Sequence, residues 1–145
     1  MPVADIPLAD MPLADMPFAA VTRLRVRRLR FLPVFLISAY RSIAQARRTE
    51  GCIAADMRTS GGRVFWTCSL WRDTDAMRRF MGSGVHRHAM SRLPDWCDEA
   101  SLVHWQHDAL PDWSEAEARL RQSGRLSRVR HPSPAQARGE VVPGG

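Results

Sequence analysis

This sequence predicts an α+β domain whose elements run β-α-β-β-α-β, and three observations predict it. The stretch "VTRLRV" alternates apolar and charged residues, as a strand with one buried face does. "FLPVFLISAYRSIAQARR" repeats its apolar residues at helical spacing. The glycine pair of "TSGG" separates two strand-like runs, which is the signature of a hairpin.

Taken in order, the chain opens on "MPVAD", "IPLAD", "MPLAD" and "MPFAA". Proline at every fifth position removes backbone donors at a period that suits neither helix nor strand, so residues 1–20 are expected to form a disordered arm. The first strand then sets Thr22, Leu24 and Val26 against Arg23, Arg25 and Arg27. The helix that follows aligns Leu32, Phe35, Leu36, Ala39, Tyr40, Ile43 and Ala46, with Pro33 in its first turn and Gly51 beyond its end. "CIAADM" and "RVFWTCSLW" form the hairpin, the second strand opposing Val64, Trp66, Cys68 and Leu70 to Phe65, Thr67, Ser69 and Trp71. Asp73 or Thr74 caps a second helix carrying Met77, Phe80 and Met81, which breaks at Gly84. "ASLVHWQH" supplies the last strand, with Leu102, His104 and Gln106 opposed to Val103 and Trp105.

That order is the ferredoxin-like split βαβ unit, here expected over residues 21–110. Its four-stranded antiparallel sheet carries both helices on one face and leaves the other bare. Ser114 and Glu117 form a capping box that opens a short C-terminal helix within residues 111–125, ending at Gly124. Residues 126–145 have the composition of a flexible tail.

The composition is that of one globular domain: 145 residues, 45% apolar and 25% charged. The longest mostly apolar run, Phe31 to Tyr40, is too short to span a bilayer, and the N-terminus lacks a basic region followed by an apolar core. A cytoplasmic location is the resulting expectation. The net charge of +6 comes from arginine alone, since the chain has no lysine. Its aromatic residues are scattered across faces rather than gathered into a stacking platform, which argues against a nucleic-acid partner. Cys52, Cys68 and Cys97 are odd in number and lack a CxxC pair, so they read as reduced core thiols, and no metal-ligand spacing is present.

The sharpest candidate lies in "SGVHRHAM". At 100° per residue, His86, Ala89, Met90 and Leu93 share one stripe, while His88 lies with Arg87, Ser91 and Arg92 on the other side. Side chains two apart on a helix cannot chelate one metal ion. His86 is therefore the candidate catalytic residue, a general acid or base; the alternative is a half-buried histidine satisfied by its neighbours. Arg25, in mid-strand, is the candidate holder of a phenolate, carboxylate or enolate, against the alternative of a rim charge. Phe65, Trp71 and His104 complete the candidate substrate wall, aromatic with a few polar groups; plain interface packing is the other reading. The chain has no GxGxxG, P-loop, GxSxG or HExxH motif.

Trp71, Asp73 and Phe80, the Ser83, Gly84, His86 and Met90 of "SG.H...M", and "WCDEAS..HW" from Trp96 to Trp105 together carry a resemblance. The chain resembles, from Val21 to His107, the DUF3291-type and spheroidene monooxygenase-like branch of the dimeric α/β-barrel superfamily, which includes the antibiotic biosynthesis monooxygenases. The resemblance implies a homodimer paired sheet to sheet around a pocket. It also implies a monooxygenase-like enzyme acting on a small, mostly apolar organic substrate, with a non-catalytic ligand-binding or accessory dimer as the alternative. Heme-degrading members of that superfamily use a helix Trp and a later His, and the matching places here hold Phe80 and Met90. Heme degradation of that kind is not supported, and the cofactor expectation is none or heme, with Met as a conceivable iron ligand.

Overall fold

The computed structural model describes residues 16–144. Most of the proline-repeat arm, residues 1–15, lies outside the described residues. The sheet is built from β1 (Phe18–Val26), β2 (Cys52–Ser60), β3 (Val64–Trp71), β4 (Cys97–Gln106) and β5 (Arg125–Leu126). Its order is β2-β3-β1-β4-β5 and every pairing is antiparallel. The helices are α1 (Leu32–Arg48), α2 (Thr74–Met81), α3 (Gly84–Trp96), α4 (Trp113–Ser123) and α5 (Pro134–Ala137). The α+β architecture and its β-α-β-β-α-β order are as the sequence predicts. β5, two residues long, adds a fifth strand to the expected four.

Strand alternation decides what lies on each face. Leu24, Val26, Phe65 and Ala100 pack with Phe35 of α1 and Trp96 of α3. Phe18, Ala55 and Trp71 pack with Ala46 of α1 and with Ala76 and Phe80 of α2. Phe18 sits in the segment that the proline repeat suggests is an arm, yet it is the first residue of β1 and is buried at 6% exposure. The hairpin turn uses Gly61 and Gly62 at φ of 64° and 79°, which an L side chain adopts only with strain.

The second face of the sheet differs from expectation. Instead of lying bare for a second copy, it is covered by the chain's own C-terminal part: Val21, Trp66, Cys68 and Val103 pack against Ala116 and Leu120 of α4 and against Val142. The apolar face on which a sheet-to-sheet homodimer would rest is thus already buried. α4 is capped by Asp112, whose carboxylate accepts from the Glu115 amide at 2.8 Å, so it starts before the predicted capping box of Ser114 and Glu117. Glu117 instead pairs with Arg121 at 3.1 Å.

The segment beyond 126, with the composition of a tail, is tied to β4 by polar side chains rather than by an apolar stripe. Ser133 Oγ donates to Glu99 Oε2 at 2.7 Å, and Gln136 Oε1 accepts from the Ala100 amide at 3.3 Å. Both residues are buried. Anchors of this kind have no period for a sequence to display.

Candidate functional site

A cavity of about 480 Å³ lies between the sheet and helices α1 to α3, lined mostly by apolar side chains. Its floor comes from the helix-facing positions of four strands: Thr22 and Leu24, then Ala55 and Met57, then Phe65, Thr67, Ser69 and Trp71, then Leu102 and His104. Phe80, His86, Ala89, Met90 and Leu93 come down from α2 and α3, and Arg125 and Arg128 stand on the β5 side. One chain encloses this space, so the pocket is not made by pairing two sheets.

The helical phase places the histidines as read. His86, Ala89, Met90 and Leu93 all line the cavity, while His88 is exposed on the outer side of α3. The His86 ring lies on Phe80 with centroids 4.2 Å apart, and Phe80 stacks on Trp71 at 5.2 Å. Trp71 Nε1 donates to Ser69 Oγ at 2.8 Å, which holds the far end of this three-ring column. Gln45 of α1 fixes the near end: its Oε1 accepts from the His86 amide at 2.9 Å, and its Nε2 donates to the Ser83 carbonyl at 2.9 Å.

His86 Nδ1 is buried without a hydrogen-bond partner. Burial holds the imidazole below its ordinary value of 6.5, and a hydrogen bond with the Met81 backbone opposes this only in part. The ring is therefore neutral at pH 7, with a free nitrogen that can accept a proton. Phe65 and Trp71 line the same cavity as buried wall residues. His104 lies at its edge, exposed, with its ring edge-on to Phe18 at 6.3 Å.

Arg25 does not join them. Its odd position in β1 sends it to the other face of the sheet, where Nη1 donates to Asp98 Oδ2 at 2.7 Å and stands 3.8 Å from Glu99 Oε2. Beside it, the buried Arg23 donates to Glu99 Oε1 at 2.8 Å. The β1–β4 register shifts between Arg25 and Val26, leaving Asp98 unmatched in the ladder and letting two consecutive acids face two arginines. Burial raises the Asp98 carboxyl, with Arg25 pulling it down and Glu99 pushing it up. Burial would raise Glu99 as well, but bonds from Ser133 and Arg23 outweigh it and hold Glu99 below its ordinary 4.5. Arg25 is a neutralised structural cation, and the anion-holding role expected of it has no access to the cavity.

The cysteines are inert by the same physics. Burial pushes Cys68 and Cys97 up to about 12, so both are protonated thiols at neutral pH. A histidine-ligated heme of the degrading type does not fit these residues. Phe80, with no donor atom, is packed between Trp71 and His86, and Met90 stands 42% exposed. Thr67 and Ser69 line the cavity beside Phe65 and Trp71, as the strand alternation predicts. Gln45, Thr22, Arg125 and Arg128 are the site residues that sequence reasoning missed. The first two sit at positions whose phase was readable, whereas the two arginines fall where a helix end and a tail were expected.

Three comparisons place the chain. The family model described as a domain of unknown function, DUF3291, matches residues 41–127. No curated protein matches. Among solved structures, a conserved protein of unknown function from Bacteroides thetaiotaomicron superposes with a TM-score of 0.58 at 19% identity, covering 65% of this chain and 100% of its own. SnoaB, a cofactor-independent oxygenase from Streptomyces nogalater, superposes with a TM-score of 0.54 at 16% identity, covering 65% of this chain and 95% of its own. A protein from Nitrosomonas europaea, named as a candidate antibiotic biosynthesis monooxygenase, gives a TM-score of 0.57 at 12% identity, with 67% and 95% covered. At such identities the likeness is one of fold. The matched segment, running from α1 through β5 and holding His86 and the walls around it, is more than half of the chain, which belongs to the DUF3291 family.

Proposed function

We propose that the cavity binds a small, mostly apolar organic substrate and that the chain oxidises it as a monooxygenase, with His86 as the proton acceptor. The observation that carries this reading is a neutral imidazole on the wall of a mostly apolar cavity, with a ring nitrogen, Nδ1, that lacks a hydrogen-bond partner. A substrate with an acidified C–H group would lose a proton to that nitrogen. The carbanion then supplies electrons to dioxygen; one oxygen atom stays on carbon as a carbonyl and the other leaves as water with the two hydrogens of the original CH₂. Substrate and dioxygen together balance the reaction. Phe65 and Trp71 pack on the apolar body, and His104 stands at the edge. SnoaB, by its name an oxygenase without a cofactor, shares this fold, which supports the reading.

The test is dioxygen uptake with a panel of apolar 1,3-diketones and activated phenols. Uptake that is abolished in a folded His86→Gln protein supports the enzyme. Saturable binding of these compounds with no uptake by the wild type would favour a ligand-binding protein on the same fold. A homodimer is a proposal of its own, resting on the apolar Val34, Ile37 and Tyr40 exposed along α1. Sedimentation as a monomer at micromolar concentration would end it. A cytoplasmic location is likewise proposed, on free thiols at Cys52, Cys68 and Cys97.

A further inference from the structure

Arg23 and Arg25 are neutralised by Glu99 and Asp98 on the far side of the sheet, but the cavity has cations of its own. Arg125 stands opposite Leu102 in the β4–β5 ladder. Residues opposite each other on antiparallel strands project to the same face, and Leu102 lines the cavity floor. Arg128, in the segment just beyond β5, also lines the cavity. Neither guanidinium has an ion pair or hydrogen bond among the described residues, and no aspartate or glutamate lines the cavity. Two unopposed, solvent-exposed guanidiniums thus stand at the edge of a mostly apolar space that also holds the His86 and His104 rings.

The wall that carries them is held in place. The Ser127 amide donates to the Ala100 carbonyl at 2.9 Å, and the Arg130 amide to the Pro94 carbonyl at 3.0 Å. Gln136 Nε2 clamps the Ser127 carbonyl at 2.9 Å, and Arg130 pairs with Asp95 at 2.8 Å. The backbone between the two arginines is therefore fixed before any ligand arrives, which lowers the ordering cost of an ionic contact.

We propose that the substrate is an organic acid: an apolar body seated against Phe65, Trp71 and Phe80, with its carboxylate held by Arg125 and Arg128. This rests on the reading of the cavity as the substrate site and adds the chemical class that site selects. Guanidinium forks recognise a carboxylate through paired hydrogen bonds, and both arginines are exposed, so the charged end of the ligand sits at the solvent side of the cavity.

The probes are 2-naphthoate and its neutral counterpart 2-naphthamide, which share one apolar body, measured by calorimetry on the full chain. Wild-type protein is expected to bind the acid about tenfold more tightly than the amide, the scale of one charge-assisted contact. In R125Q/R128Q the preference should vanish while the amide affinity stays. R125K/R128K should keep a reduced preference, and Arg87→Gln, on the exposed face of α3, should keep it in full. Raising the salt from low to high should narrow the gap in the wild type. Equal wild-type affinities, or a preference that survives in R125Q/R128Q, would overturn the acid proposal and leave the cavity reading standing. If neither probe binds up to its solubility limit, the cavity reading fails and this proposal fails with it.

Discussion

The imidazole of His86 rests on the ring of Phe80 with centroids 4.2 Å apart and planes tilted by 40°. This contact desolvates the histidine and fixes its direction without using either ring nitrogen. The amide of the same residue is held by Gln45 at 2.9 Å, so backbone and side chain are positioned by different partners.

Burial lowers the folded-state pKa of His86 from the ordinary 6.5, which sets a pH dependence of stability. As pH falls below 6.5 the unfolded chain takes up this proton first. Stability contributed by the neutral ring is therefore complete above that value and is lost as pH falls through the lowered folded one. His86→Gln should flatten this loss in urea unfolding between about pH 7.5 and pH 5, where the unfolded imidazole titrates. His88→Ala, at an exposed position, should change stability by no more than about 0.5 kcal/mol. Equal pH profiles for wild type and His86→Gln would refute the desolvated ring.

Removing the Glu99 charge should be among the costliest single polar changes in the chain. Glu99 is 5% exposed and accepts from Arg23 at 2.8 Å and from Ser133 at 2.7 Å. Glu99→Gln leaves the buried Arg23 uncompensated, at an expected cost of about 3–5 kcal/mol in chemical denaturation. The folded pKa lies below the ordinary 4.5, so this contribution is full above 4.5 and is lost as acidification passes the folded value. Arg23→Met combined with Glu99→Leu should cost less than Glu99→Gln alone, because it buries no unpaired charge. A loss under about 1 kcal/mol for Glu99→Gln, the range of an exposed pair, would show that the pair is solvated.

The contrast between His86 and Arg25 shows what the sequence could reveal. Which histidine faces inward is a matter of angle along one helix, and the apolar stripe through Ala89 and Leu93 states that angle locally. The strand alternation that sends Phe65 and Trp71 to one face is equally local. The same alternation puts Arg25 on the face away from α1, but its partner Asp98 lies 73 positions away, beside a register shift that no pattern announces. The covering of that face by α4 escapes for the same reason: Ala116 and Leu120 mark a buried stripe without naming what it packs on. Arg125 begins a strand of two residues, too short for any period, and Arg128 lies just beyond it.

The last prediction concerns the residue that joins α1 to the start of α3. Gln45 accepts from the His86 amide and donates to the Ser83 carbonyl, so one side-chain amide satisfies a donor at the first turn of α3 and a carbonyl just before it. The fit is close: a Cβ at Gly84, where φ is +59°, would stand 3.2 Å from Gln45 Oε1. Gln45→Ala removes both bonds and should cost about 1–2 kcal/mol, the scale of a lost helix cap or of one to two net hydrogen bonds. The readout that separates positioning from general stability is amide hydrogen exchange. The His86 amide should exchange at least about tenfold faster in Gln45→Ala, as a local loss near 1.4 kcal/mol implies. Amides in the middle of β1, such as Val21, should slow or speed only with global stability. Gln45→Glu keeps the acceptor for His86 and places a negative charge at the N-terminus of α3, but loses the donor to Ser83. It should therefore protect the His86 amide better than alanine does. If Gln45→Ala leaves that amide as protected as in the wild type, the turn carrying His86 is held by its own helix, and Gln45 is a bystander.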